Sequence, residues 1–337
     1  MGTGQAFLFR EVIGLEAEHI WISIPFCLMY TIIFLGNGII LHIVRFDPAL
    51  HQPVRFFLAM LVFVELGVSV SCPLLLGIFL FGINNISFGG CLLQMFSMHS
   101  FFLMESGILL AMSVDHFVAI YSPLRYTIIL TILRISRMGV TIAFHSVVLV
   151  FPLLLLLKRL LFYSHNTLTH SYCLHSDLIK LPCGDTHPNS ILGLFVISFT
   201  FELDSLLIVI SCMLILHTVL GIVSGAGRWR ALNTCVSHTS AVLVYYVPII
   251  ILSLIHRFGH HLPLFLQTVM ASVYLFFPPV ANCIVYSIKT KEILRSIVRH
   301  CLKRGMWYLR GYSENTGTWI RAIAWILDFQ MGKLYSV

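Results

Sequence analysis

Charged side chains are scarce in this chain of 337 residues. Asp, Glu, Lys and Arg make up 10% of it, whereas an average soluble domain has roughly 25%. Because 58% of the residues are hydrophobic, the composition excludes an ordinary soluble protein and is typical of a membrane protein. The sequence also lacks a glycine-rich phosphate loop, a nucleophile elbow and a His and Cys cluster with zinc-site spacing. Nothing in it therefore predicts an enzyme or a transition-metal centre.

What the chain does contain is seven apolar runs, each long enough to cross roughly 30 Å of hydrocarbon as a helix. The net charge of +7 could suggest a nucleic-acid partner, but the basic residues lie between the runs and in the tail. With the N-terminus outside, 16 of the 21 Lys and Arg fall on the cytoplasmic side, as the positive-inside rule requires. We therefore predict an all-α membrane protein, a seven-transmembrane helix bundle with its N-terminus outside. The predicted spans are about 21–44, 55–81, 91–121, 138–157, 191–223, 232–255 and 262–288.

The segments that flank the bundle divide the rest of the chain. The first 20 residues lack the pattern of a cleaved signal peptide, so we expect the first span to act as the targeting signal. Residues 1–20 are then an extracellular N-terminus, and residues 21–288 form the seven-transmembrane domain. Residues 289–304 are basic and amphipathic, which predicts a short helix on the anionic inner leaflet. Residues 305–337 form an atypical cytoplasmic tail.

The end of the third span carries the most specific motif in the chain. Residues 112–128 read MSVDHFVAIYSPLRYTI, which resembles the olfactory receptor signature Met-Ala-x-Asp-Arg-Tyr followed by Ala-Ile-x-x-Pro-Leu-Arg-Tyr. The stretch HSYCLH at 170–175 resembles the class I, or fish-like, members of that family. With ALNTCVSH at 231–238 and PPVAN at 278–282, the resemblance covers about residues 14–304. By these motifs the chain is identified as a member of the rhodopsin-like G-protein-coupled receptors of this class.

The resemblance implies a receptor that performs no chemistry on its ligand. An odorant is expected to bind within the bundle, and a stimulatory G protein is expected on the cytoplasmic face. The implied location is the cell membrane, in the sensory cilia of olfactory neurons, with lipid around the multi-pass chain and no nucleic-acid partner. Class I receptors resemble detectors of water-soluble odorants, including carboxylic acids, and a carboxylate is well matched by a forked cation. The predicted ligand-binding residues are Arg257, Ser253, His99 and Ser176.

Each of these ligand residues also has a simpler interpretation. Arg257 stands at the outer end of the sixth span, where its side chain also fits a snorkelling position at the membrane interface. A lone histidine such as His99 is more often a packing residue, so its assignment rests on the family position.

Three of the nine cysteines fall in the predicted outer segments. By the resemblance, Cys91 and Cys173 form the disulfide of rhodopsin-like receptors. Cys183 usually pairs with a cysteine at the position that Tyr163 occupies here, so it is expected to be unpaired. Asn85 begins a glycosylation sequon, but its loop is so short and close to the membrane that we expect a poor acceptor.

Two carboxylates, Glu65 and Glu105, lie within predicted spans, where a charge is costly unless it is paired, protonated or facing internal water. Two interpretations stay open. The pair binds a hard cation such as sodium, or one carboxyl is protonated and the two simply hydrogen-bond. Asp204 in the fifth span is open to similar interpretations. No other cofactor is expected.

The resemblance places a G-protein switch at the cytoplasmic end of the bundle. In the family, the Arg that follows Asp115 swings toward the G protein on activation. It is partnered there by the Tyr of a motif that begins at Asn282, which is Tyr286 in this chain. The Arg itself is replaced by His116, which carries little charge at neutral pH and lacks the guanidinium fork.

Two further positions of the switch differ from the family pattern. A Tyr in the fifth span is Cys212, and a Pro in the seventh is Cys283, which removes a kink site. We therefore predict weakened coupling, and the alternative is a degenerate member that binds ligand but does not signal. The alternative from another class is a transporter or channel. Against it, the sequence has neither an internal repeat nor a pair of Gly/Pro-broken helices.

Overall fold

The computed structural model describes residues 6–9, 19–46, 53–71, 85–160, 167–168, 172–182, 184–221, 225–258 and 264–289. Within these residues the chain forms nine helices and three short strands. The helices are α1 (His19–Phe46), α2 (Pro53–Val70), α3 (Phe88–Tyr121), α4 (Tyr126–Ile129), α5 (Ile132–Lys158), α6 (His175–Leu178), α7 (His187–Leu220), α8 (Gly225–Phe258) and α9 (Leu264–Lys289). The strands are β1 (Ala6–Phe9), β2 (Asn85–Ser87) and β3 (Thr167–Leu168).

Seven of these helices correspond one for one to the predicted spans. In the described residues, α1, α2, α3, α5 and α7 are each long and apolar enough to cross a membrane. The other two, α8 and α9, contain shorter apolar stretches, His238–Leu252 and Met270–Val285. Large apolar side chains such as Phe63, Leu93 and Phe144 are exposed on the outside of the bundle, as expected where a helix faces lipid.

Several helices begin earlier than the apolar runs predicted, and a polar side chain caps the earlier start of two of them, α5 and α3. The side chain of Thr131 accepts a hydrogen bond from the backbone N–H of Arg134, so α5 begins at Ile132 and not near residue 138. Ser87 caps α3 in the same way, so that helix begins at Phe88 and not near residue 91. Helices α7 and α8 likewise begin before the predicted residues 191 and 232. The predicted starts were wrong because hydropathy marks only the part of a helix that lies in hydrocarbon.

Helix α3 lies at the centre of the bundle and contacts α2, α5, α7 and α8. Its side chains are buried along most of its length, with Met95, Met98 and Leu109 fully enclosed. Glycine allows the neighbouring helix to approach closely, since a Cβ on Gly67 of α2 would lie 2.6 Å from the ring of Phe101. Helix α3 therefore runs through the packed centre of the bundle, from its outer end to its cytoplasmic end.

The N-terminal segment contributes a strand that the sequence did not predict. Strand β1 lies between β2, to which it is antiparallel, and β3, to which it is parallel. Phe7 on β1 is buried in a cluster with Cys91, Cys173 and Leu178. The small sheet thus ties the N-terminal segment to the outer loops beside the start of α3. The predicted amphipathic helix at 289–304 and the tail at 305–337 fall beyond the described part of the chain, apart from Lys289 at the end of α9.

Candidate functional site

A cavity of about 740 Å³ opens between α3, α5, α7, α8 and α9, with α6 at its outer end. Its volume falls in the range of small-molecule sites, roughly 300–1,000 Å³. Most of the wall is apolar and includes Phe102, Leu103, Val150 and Phe201. The polar and charged groups in the wall are His99, His175, Ser176, Lys180, Ser190, Ser198, Glu202 and Tyr274. The cavity therefore suits a small and mainly apolar molecule that carries a polar group.

The outer loop is held over this cavity by one covalent link and several hydrogen bonds. A disulfide joins Cys91 to Cys173, as the family resemblance implies. The side-chain oxygen of Gln94 on α3 accepts a hydrogen bond from the Cys173 N–H at 3.1 Å. The hydroxyl of Tyr172 donates to the Ala271 carbonyl of α9 at 3.0 Å. These contacts fix the loop segment that leads directly into α6.

Two of the four predicted ligand residues, His99 and Ser176, line the cavity. The Nδ1 of His99 lies 2.8 Å from the Met95 carbonyl and donates its proton there, so Nε2 is the nitrogen left for a ligand. Ser253 and Arg257 fall on the last turns of α8, but their side chains lie outside the described residues. Their roles therefore stay predictions.

His175, the first residue of α6, lines the cavity and was given no site role by the sequence. Its side chain is buried, and its Nε2 has no hydrogen-bond partner among the described residues. The ring packs on Gly193 of α7 so closely that a Cβ there would lie 2.7 Å from the ring carbon Cε1. Burial, with His99 nearby, lowers the pKa of His175 to about 4. The one available signal was its position two residues after Cys173, which brings it close to α3.

Deeper in the bundle, the two predicted carboxylates meet at one amide. The Asn282 side-chain nitrogen donates to Glu65 Oε1 at 2.9 Å and to Glu105 Oε1 at 3.4 Å. All three residues are buried, and neither Glu65 Oε2 nor Asn282 Oδ1 has a hydrogen-bond partner in the described part of the chain. Buried oxygens with unused acceptor capacity are the ligands that a hard cation prefers. The residues therefore fit the sodium interpretation, and Asn282 belongs to this cluster as well as to the predicted switch.

Asp204, whose role the sequence left open, joins a second polar network. The hydroxyl of Ser106 on α3 donates to Asp204 Oδ2 at 2.6 Å. The same hydroxyl lies 2.8 Å from the Tyr246 hydroxyl on α8. Three polar side chains, one from each of α3, α7 and α8, therefore meet inside the bundle.

At the cytoplasmic end, the carboxylate of Asp115 contacts the side chains of Tyr126 and His116. The Tyr126 hydroxyl on α4 donates to Asp115 Oδ1 at 2.8 Å, and His116 Nδ1 lies 3.3 Å from Asp115 Oδ2. Burial and the Asp115 charge raise the pKa of Tyr126, so it stays a neutral donor. His116 also meets the ring of His238 on α8, with ring centroids 5.1 Å apart.

The other substituted positions of the predicted switch have distinct surroundings. Cys283 is buried, and its sulfur packs so tightly against Gly36 of α1 that a Cβ at Gly36 would collide with it. Cys212 is half-buried on α7. The side chain of Tyr286 lies outside the described residues, so its partner in the predicted switch is untested. Asn85 is exposed on β2, where its position in the sheet is opposite Leu8 of β1.

Comparison with known proteins gives one consistent family. A model described as olfactory receptor matches residues 26–304. Olfactory receptor 51I2 of Homo sapiens is 49% identical over 294 residues, which is 87% of this chain and 94% of that protein. Olfactory receptor 51I1 of Homo sapiens is 50% identical over 287 residues, or 85% and 91% of the two chains. Olfactory receptor 51G2 of Homo sapiens is 50% identical over 295 residues, or 87% and 94%.

Proposed function

Because the chain belongs to the olfactory receptor family, we propose that it binds a carboxylic-acid odorant beneath α6 and signals through a stimulatory G protein. Membership makes the chain an odorant receptor, a multi-pass membrane protein with a seven-transmembrane bundle, and not an enzyme. The observation that carries the ligand proposal is the cavity in which His99, His175 and Ser176 come together.

The cavity wall supports an amphiphilic acid as the ligand. An alkyl chain fits the apolar side chains of Phe102, Leu103 and Val150. The carboxylate group must exchange water for hydrogen bonds and positive charge, because an unpaired buried charge is costly. His175 Nε2, proposed to carry the ring proton, and the Ser176 hydroxyl supply neutral donors. Lys180, whose Nζ lies 3.5 Å from Asp177 Oδ1, places a cation at the rim, where its side chain is 65% exposed. Arg257, with Ser253 one turn away on α8, is proposed as the forked cation that completes the site.

Two of the helices that line the cavity, α3 and α8, also carry residues of the proposed switch. Helix α3 has His99 at the cavity and Asp115 with His116 at its cytoplasmic end. Helix α8 has Leu252 at the cavity and His238 opposite His116. A ligand that binds better to one arrangement of these helices shifts the population toward it, and this is how an outer site acts on an inner one. Helices α3 and α8 each extend from the cavity to the cytoplasmic end, and this continuity supports the proposal that ligand binding changes the surface that contacts the G protein.

The remaining assignments are proposed on the same family basis. Residues 1–20 are the extracellular segment, 21–288 the receptor domain, 289–304 an inner-leaflet helix and 305–337 a cytoplasmic tail. The receptor is proposed to reside in sensory cilia. Asn85 is proposed to stay largely unglycosylated, because it belongs to a strand that ends where α3 begins. The cluster of Glu65, Glu105 and Asn282 is proposed to hold a sodium ion.

A degenerate receptor is the second candidate, and the substitutions at His116, Cys212 and Cys283 favour it. The test is cyclic AMP production in cells that express a surface-tagged chain, challenged with short and medium straight-chain carboxylic acids. The comparison is a triple variant, His116→Arg with Cys212→Tyr and Cys283→Pro, at matched surface expression. A response from the native chain supports both ligand and coupling. A response from the variant alone means an intact cavity and a defective switch, and silence from both contradicts the ligand proposal.

A further inference from the structure

We infer that His116 and His238 form a binding site for a divalent transition-metal ion such as Zn²⁺, which joins α3 to α8 at the cytoplasmic end. The two imidazoles are 7% and 2% exposed, and they come from different helices. Neither ring nitrogen of His238 has a hydrogen-bond partner in the ranges that the structure describes. A buried imidazole with two unpaired nitrogens is unusual, because buried polar groups are nearly always satisfied. The unused nitrogens are the first observation that points to a ligand.

The geometry of the pair is the second observation. The ring centroids lie 5.1 Å apart and the rings are inclined at 83°. A tetrahedral Zn²⁺ with two imidazole ligands at Zn–N distances of about 2.0–2.1 Å brings the ring centres to roughly 5 Å. The observed separation of the two ring centres therefore matches that of a site in which both imidazoles bind one ion.

Asp115 prepares His116 for this role. Its Oδ2 lies 3.3 Å from His116 Nδ1, and its Oδ1 accepts the hydrogen bond of the Tyr126 hydroxyl. The nearby carboxylate favours the proton on Nδ1, which leaves the lone pair on Nε2 for the metal. The contact with His116 is electrostatic, because Asp115 Oδ2 has no hydrogen-bond partner among the described residues.

The chemistry selects the class of metal. Imidazole ligands suit zinc, copper and nickel, whereas the hard ions magnesium and calcium prefer oxygen. The described residues contain no cluster of three or more His, Cys, Asp or Glu with metal-binding geometry. Two protein ligands leave the other positions to water, so the affinity should be lower than that of a four-ligand structural zinc site. The bound ion would hold the inner ends of α3 and α8 together.

The site is a feature that the sequence alone does not reveal. His116 and His238 lie on separate helices and match no zinc spacing along the chain. His116 stands where the olfactory receptor signature has Arg, so the proposed site depends on a residue that departs from that signature.

The test is isothermal titration of Zn²⁺ into the purified full-length receptor in lipid nanodiscs, carrying an affinity tag that is free of histidine. We expect one site per receptor. His116→Gln and His238→Ala should each weaken its affinity at least about tenfold, the size of effect seen when a metal site loses a supporting group. The matched control is His217→Ala, because His217 is an exposed histidine near the cytoplasmic end of α7. This control should bind Zn²⁺ as the native chain does.

Two further variants keep the result clear. His116→Arg introduces the residue of the family signature and removes the imidazole, so a monodisperse sample of it should also lose the site. Cys235→Ser removes a half-buried thiol one turn before His238 and should leave the affinity unchanged. No binding to the native chain would overturn the proposal. Unchanged affinity in both His116→Gln and His238→Ala would also overturn it, as would a loss confined to Cys235→Ser.

Discussion

Replacement of Gly193 by alanine is expected to weaken carboxylate binding by displacing the ring of His175. The added Cβ would lie 2.7 Å from His175 Cε1 and 2.9 Å from Nδ1. Carbon atoms in contact are normally about 3.5–4.0 Å apart, so the ring must move by roughly 1 Å. Because the colliding atoms belong to a side chain, the ring can move while α7 keeps its backbone.

The size of the effect follows from the hydrogen bond that the ring is proposed to make. A donor at about 2.9 Å from a ligand oxygen that moves by roughly 1 Å no longer forms a hydrogen bond. A hydrogen bond to a charged group contributes about 1.5–3 kcal/mol. The dissociation constant of the carboxylate should therefore rise about 10- to 150-fold.

The assay is ligand-induced thermal stabilisation of the purified receptor in nanodiscs, which needs no G protein. The probe is the straight-chain carboxylate that stabilises the native chain most, and its concentration dependence gives the dissociation constant. The matched control is Gly184→Ala in the outer loop, where an added Cβ meets no atom of the described residues within 4 Å. This control should bind the probe as the native chain does.

A double-mutant comparison decides whether His175 transmits the effect. In a His175→Ala background the ring is absent, so Gly193→Ala should cause little further loss of affinity. The reasoning is refuted if Gly193→Ala binds the probe normally. It is also refuted if the loss is equally large without the His175 ring.

Three other predictions concern stability, each measured as a shift in the unfolding midpoint of the purified receptor. Because the pKa of His175 is about 4 when folded and about 6.5 when unfolded, the unfolded chain takes up the proton first, and stability falls as pH drops from 6.5 toward 4. At pH 5 this loss is about 2 kcal/mol. Acid should therefore destabilise the His175→Gln variant less than the native chain. An equal pH response in both would contradict the lowered pKa of His175. Sodium at ten times its own dissociation constant should stabilise the native chain by about 1.4 kcal/mol relative to a large organic cation. The Glu105→Gln variant should show no difference between the two cations. Gln94→Leu should cost about 1–3 kcal/mol, because it leaves the Cys173 N–H buried without its acceptor; an unchanged midpoint with the disulfide intact would count against that role.

Much of the architecture follows from local features of the chain. Hydropathy predicted seven spans, and the distribution of basic residues predicted their orientation, because each helix must satisfy its backbone hydrogen bonds alone in hydrocarbon. Short ungapped motifs identified the family and, through it, the pairing of Cys91 with Cys173. Helix ends were less accurate, since Thr131 and Ser87 extend α5 and α3 past their apolar runs. Strand β1 was missed because its partners lie in distant loops.

Which polar groups meet was decided only by the tertiary structure. Asn282 and Glu65 are 217 residues apart in sequence and 2.9 Å apart in the bundle, and the sequence had assigned them to different roles. His175 became a cavity residue because Gly193 lets its ring pack against α7, and His116 met His238 because α3 and α8 pack together. Hydropathy and motifs describe each helix by itself, whereas these contacts depend on the rotation and packing of one helix against another. The sequence thus determined that this chain is a seven-span odorant receptor, and the packed bundle determined which side chains form its sites.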